Sequence, residues 1–98
     1  MVKFKLSEHL KRRLKERRIP EDYPQEIFKK SKIHYFDTQS EHYVSVAKLK
    51  YAESLRNMVA VYDKISDEVG IITVFPISEE ELKNKINSGR WKKYNEKN

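Results

Sequence analysis

Tyr43-Val-Ser-Val-Ala-Lys-Leu-Lys-Tyr51 alternates along its length and is rich in β-branched and aromatic residues, as a strand with one face on a core must be. The turn Ala52-Glu-Ser54 leads to a second such run, Leu55 to Asp63. A polar turn around Ser66-Asp67 leads to a third, Val69 to Ile77. Upstream, Ile33 to Asp37 and the turn Thr38-Gln-Ser40 add a fourth. Such short connections predict an antiparallel meander. Ile71-Ile-Thr-Val-Phe75 is almost continuously apolar, which predicts a central place in the sheet.

Helices flank these strands. Ser7 is an N-cap for a helix from Glu8 to Arg18, in which Leu6, Leu10 and Leu14 form an apolar stripe; Pro20 closes it. Asp22-Tyr-Pro-Gln25 reads as a capping box that opens a short helix through Lys30. Ser78-Glu-Glu-Glu81 caps a third helix, with Leu82 and Ile86 facing inward and Gly89 as its stop. Val2 to Leu6 can add a short edge strand, and Trp91 packs the basic tail back on the body. The expected fold is α+β: two N-terminal helices on one face of a four-stranded, mainly antiparallel sheet, with a C-terminal helix. The chain reads as one domain over 1–98, divided into a basic helical part (1–31), the sheet (32–77) and the C-terminal helix and tail (78–98).

Composition narrows the function classes. With 98 residues, 38% hydrophobic and 37% charged, the chain supports one modest core under a heavily charged surface. It has no cysteine, which excludes disulfides and thiolate metal sites. Its start lacks the apolar run of a signal peptide and no stretch is long enough to span a bilayer, so a cytoplasmic, soluble protein without membrane contact is expected. Only Gly70 and Gly89 are available, so no Gly-rich phosphate loop exists and no nucleotide cofactor is expected.

The net charge of +6 is concentrated. Residues 1 to 32 hold eleven basic and five acidic side chains, a local excess of +6, whereas the remainder is balanced. A localised positive field selects polyanions: nucleic acid or an acidic protein segment. Six of the basic residues fall between His9 and Arg18. His9, Arg13 and Arg17 stand at i, i+4 and i+8, one position behind the leucine stripe, where stems pack inward and heads reach a cleft. In the catalytic reading, His9 is a general base and Arg13 and Arg17 clamp a phosphate. In the structural reading, His9 caps the helix and Arg13 pairs with Glu16 or a strand carboxylate.

Arg12, Arg18, Lys48, Lys50, Arg56 and Arg90 are the further candidates for contacting nucleic acid. Tyr35, Tyr43, Tyr51, Tyr62, Phe36 and Phe75 either stack bases or serve as ordinary strand packing. His34 and His42 flank the first hairpin turn and can meet across it, but no third ligand stands at metal spacing, so no metal is expected.

The pattern Leu6-Ser7-x-His9-x-x-x-Arg13-x-x-Glu16-Arg17-x-Ile19, with strands ending in Ile71-Ile72-Thr73-Val74, resembles an uncharacterised family of the RelE/ParE-like toxin superfamily over residues 4 to 77. The helix-to-sheet order, with Val61-Tyr62 and Ile72-Thr73, is more loosely similar to the BrnT toxins. The resemblance implies a toxin-type RNA-binding protein, a metal-independent endoribonuclease acting on RNA, free or on the ribosome, and an acidic antitoxin as partner. It equally admits a non-catalytic module that binds nucleic acid or a protein such as gyrase. Many RelE-like nucleases place an Arg and a Tyr near the C-terminal strand and tail; Arg90 and Tyr94 follow in that order here, beyond an added helix.

Overall fold

The computed structural model describes residues 3–94. Val2 of the expected edge strand and the end of the tail, 95–98, lie outside the described residues. The elements are β1 (Lys3–Leu6), α1 (Glu8–Glu16), α2 (Tyr23–Lys30), β2 (Ile33–Asp37), β3 (Tyr43–Tyr51), β4 (Ser54–Ile65), β5 (Glu68–Ile77), α3 (Glu79–Asn87) and β6 (Trp91–Tyr94). The fold is α+β, and the sheet differs from expectation. It has six strands in the order β1-β5-β4-β3-β2-β6, and it is mixed because β1 runs parallel to β5.

The four expected strands form the antiparallel meander, with Val46 opposite Val59 in the long β3–β4 ladder. The two strands beyond the expected four are short edges. β1 pairs Lys3 with Glu68 and Leu6 with Ile71, and β6 pairs Trp91 with Asp37 and Tyr94 with His34. β5 is therefore the second strand from one edge, and β4 and β3 occupy the centre.

The helices cover both faces, which is the second correction. On one face, Leu10 and Leu14 of α1 and Ile27 and Phe28 of α2 pack with Met58, Ala60, Tyr62 and Ile71. On the other, Leu82 and Ile86 of α3 pack with Tyr35, Val44, Val59 and Trp91. A strand covered on both sides cannot alternate apolar and polar, and Met58, Val59 and Ala60 are consecutive buried residues.

Two caps act as their sequence implies. The Ser7 hydroxyl accepts from the Leu10 amide and donates to the Ile72 carbonyl, tying the start of α1 to β5. Ile72 is the extra residue of a β-bulge: Tyr62 faces Ile71 and Val61 faces Thr73. Ser78 accepts from the Glu81 amide at the start of α3. Asp22, by contrast, makes no side-chain cap, and α2 begins on Pro24 in its first turn. Arg18 takes a left-handed φ of 56°, which turns the chain out of α1 and lets the Ile19 amide reach the Leu14 carbonyl at 2.8 Å.

Leu14 is 1% exposed beneath α1. Leu14→Ala is expected to cost about 2–5 kcal/mol of unfolding free energy in urea titrations, and a cost below about 1 kcal/mol would contradict the docking of α1 on the sheet.

Candidate nucleic-acid interface

The basic N-terminal segment folds so that its arginines border the α1/α2 face. Leu10 and Leu14 point into the core, and Arg13 and Arg17 line a narrow cleft between α1 and the strands, beside Leu14, Tyr51 and Met58. Past the end of α1 the cleft opens into a groove of about 360 Å³ edged by Arg17, Arg18, Ile19, Tyr23 and Tyr51. Tyr23 and Tyr51 lie 6.4 Å apart between ring centroids, and the Tyr23 hydroxyl donates to the Lys50 carbonyl at 3.0 Å. Burial and then the neighbouring Tyr51 push the Tyr23 phenol above its ordinary pKa, so its hydroxyl stays neutral in the groove.

His9 is exposed on α1 and does not line the cleft that Arg13 and Arg17 border. Arg12 is exposed as well. Arg56 lies opposite Leu49 and so projects from the α1/α2 face. Lys48 and Lys50 follow the opposite alternation. Lys48 lies opposite Asn57, whose amide donates to Glu79 of α3, which puts both lysines on the α3 side of the sheet. Lys48 joins Lys30 and Lys32 around a separate shallow depression. The candidate cations thus form no single surface: Arg17 and Arg18 edge the groove, Arg13 borders the adjoining cleft, and Lys48 stands behind them.

Arg90 is held elsewhere. Its Nε donates to Asp37 at 3.2 Å, and Trp91 Nε1 donates to the other oxygen of the same carboxylate at 3.2 Å. The amides of Gln39 and Ser40 also donate to Asp37. Burial alone would raise the Asp37 carboxyl, but these four hydrogen bonds outweigh it and hold the group well below the usual carboxylate range. Arg90 and Trp91 thereby fasten β6 to β2. The ring of Trp91 is 3% exposed, packed against Tyr35 and under the Lys85 ammonium.

His34 and His42 do not meet. His42 pairs with Asp63 at 2.7 Å, half-exposed. His34 is buried on the α1/α2 face, its Nδ1 2.9 Å from the Tyr62 hydroxyl, and Tyr62 in turn lies 2.6 Å from the Tyr94 hydroxyl. This row joins β2, β4 and β6 and passes from a buried imidazole to a half-buried phenol, a path along which protons can reorder. Sequence reasoning missed it because its members are 28 and 32 positions apart. The available signal was the pairing of Tyr43 with Tyr62 once the β3–β4 hairpin is aligned. Among the described residues, no group of three or more His, Asp or Glu converges in the way a metal ion would need.

Compared with family models, with curated proteins and with solved structures, the chain matches none. The resemblance to the toxin superfamily therefore rests on its motif residues alone. Among the described residues, no helix is long and apolar enough to cross a membrane.

The Asp37 cluster has a pH signature. A carboxyl with a depressed folded value contributes stability that is fully present above its ordinary value of about 3.8 and is lost as pH falls through the folded value. Asp37→Asn is expected to lower stability by about 1.5–3 kcal/mol at neutral pH and to remove part of the acid sensitivity below pH about 4. Denaturation midpoints measured across that range decide it; equal midpoints for both proteins at neutral pH would rule out the clamp.

Proposed function

We propose that the protein binds single-stranded RNA, with the groove at the end of α1 as its backbone-contacting site. The observation that supports this reading is the groove's composition: two adjacent arginines, Arg17 and Arg18, facing the aromatic pair Tyr23 and Tyr51. Guanidinium groups bind phosphates bidentately, and aromatic rings beside them accept unpaired bases. A duplex offers phosphates but hides the ring faces of its bases, so the pairing of both features favours a single strand. The groove also lies at the end of the segment that carries the whole net excess of positive charge.

Enzymatic cleavage is a second form of this reading. His9 precedes Arg13 by one helical turn and both are exposed, so an imidazole and a guanidinium can address one phosphodiester. In metal-independent cleavage the imidazole takes the proton of the 2′-hydroxyl, that oxygen attacks phosphorus, and Arg13 and Arg17 stabilise the crowded phosphorane. The P–O5′ bond then breaks to leave a 2′,3′-cyclic phosphate and a 5′-hydroxyl that takes its proton from water. The resemblance to RelE/ParE-like toxins adds a toxin-type role, action on ribosome-bound RNA and an acidic antitoxin as further elements of the proposal. A non-catalytic module acting on nucleic acid or on a protein target is the alternative.

Two measurements test these readings. Binding to single-stranded RNA is expected to weaken with salt, and the slope of log affinity against log salt to flatten by about 0.7 for each phosphate that a variant no longer neutralises. Arg13→Ala, Arg17→Ala and Arg18→Ala should each flatten it, whereas Lys48→Ala should leave it unchanged. Equal effects from Lys48 and Arg17 would contradict the groove as the site. For cleavage, His9→Ala is expected to slow cleavage of RNA about 10²–10⁴-fold. Intact RNA after incubation with wild type, both free and on translating ribosomes, would leave the binding module standing alone.

A further inference from the structure

Far from the arginine groove, the same face of the sheet carries a second aromatic surface. Tyr43 at the start of β3 and Tyr51 at its end are eight residues apart, roughly 26 Å along an extended strand. Around Tyr43 three rings meet. Tyr62 is parallel beneath it at 5.7 Å and 23°, Phe36 stands edge-on at 5.3 Å, and Tyr94 is tilted at 4.9 Å. Tyr62 is fully buried and forms the floor, while Phe36, Tyr43 and Tyr94 are half-buried and keep part of their ring surface open. The arrangement is set by strand pairing: Phe36 faces Tyr43, and Tyr43 faces Tyr62, across neighbouring strands. Phe28 of α2 packs edge-on against Tyr62 and His34 below the cluster.

We propose that Phe36, Tyr43 and Tyr94 form a stacking platform for an unpaired base of single-stranded RNA; this deepens the RNA-binding reading and rests on it. The charge around the rings fits that occupant. The Lys64 ammonium lies 5.9 Å from the Tyr43 centroid and 5.8 Å from that of Tyr94, where the phosphate of a stacked nucleotide needs a cation. Lys92 is exposed and pairs with Phe36, so it flanks the platform on the same face. An apolar peptide is a poorer occupant, because the large apolar side chains most open to solvent stand apart from the platform. Leu55 and Ile65 lie near the two ends of β4, and Ile33 alternates onto the opposite face, facing Val46.

The platform is also rigid before any ligand arrives. Hydrogen bonding of Tyr94 to Tyr62, and of Tyr62 to His34, fixes the phenol of Tyr94, and the cross-strand pairs fix Phe36 and Tyr43. Rings already ordered lose little freedom on binding, so stacking retains more of its favourable energy. Groove and platform then divide the work: arginines hold the backbone at one end of the face and aromatic rings hold a base at the other.

The test uses the full-length chain and two labelled ligands of about 10 nucleotides: single-stranded RNA and the same sugar–phosphate backbone made abasic. Tyr43→Leu and Phe36→Leu are each expected to weaken RNA binding about 5- to 150-fold, as removal of one base stack does, and to leave abasic binding unchanged. Lys64→Ala, at an exposed position that disturbs no core, is expected to weaken binding of both ligands. If Tyr43→Leu fails to fold by circular dichroism, Phe36→Leu and Lys64→Ala decide the matter. RNA affinity unmoved by the platform variants but reduced by Arg17→Ala would overturn the platform and retain the groove. Wild type that binds neither ligand would overturn both. Abasic and base-bearing ligands bound equally well by wild type would also overturn the platform.

Discussion

The constraint on which the structure depends is that its central strand is covered on both sides. Met58, Val59 and Ala60 of β4 are 1%, 0% and 0% exposed, so apolar groups must arrive from both faces of the sheet. The described residues meet that demand with three helices of eight or nine residues each. None is long enough to be stable alone in water, and each depends on its inward stripe. Leu10 and Leu14, Ile27 and Phe28, and Leu82 and Ile86 are those stripes. The charged residues are left to the outer surfaces, which explains how a sequence with 37% charged residues still closes two cores.

The edges are secured by polar groups instead. β6 has four residues and contributes one large side chain to the core, Trp91, so burial alone is a weak anchor. Asp37 compensates by drawing the Arg90 and Trp91 donors and two turn amides onto one carboxylate, and His34, Tyr62 and Tyr94 add a second polar seam on the other face. At the opposite edge the Ser7 hydroxyl plays a comparable part by meeting the carbonyl that the bulge at Ile72 turns outward. Each is a buried or half-buried polar group whose removal would leave partners unsatisfied, and that costs more than the bond itself contributes.

The meander was legible in the sequence because period-two alternation and polar turns are local signals. Tyr43–Tyr51 and Ile33–Asp37 have the bounds their residues imply. The edges were less so. Lys3-Phe-Lys-Leu6 alternates, but its parallel partner lies 65 positions away, and nothing in four residues specifies a partner at that range. Trp91-Lys-Lys-Tyr94 lacks alternation and is a strand because Asp37 holds it there. The helices over both faces were hidden because β4 alone, by being apolar without a period, carries that information. For the interface, the Leu10–Leu14 register put His9, Arg13 and Arg17 together behind the stripe; Arg13 and Arg17 border a cleft and His9 does not. The aromatic cluster was visible only as composition, since its geometry needs the registers of four strands at once. The partner of Arg90 was invisible for the same reason.

The parallel pairing of β1 with β5 bears on how the chain acquires its structure during synthesis. Residues 3–6 are made more than sixty residues before the strand they join, 68–71. Until then β1 has no partner, and Leu10 and Leu14 lack much of the surface they cover, because Ala60 and Ile71 have not been made. The local β3–β4 and β4–β5 hairpins close the shortest loops and so form before the ends of the sheet are joined. On this ordering residues 3–19, with their arginines and leucine stripe, dock after the hairpins on which they pack. In refolding of the full chain the same loop-closure order has amides of β4 protected before those of β1 in pulse-labelled hydrogen exchange.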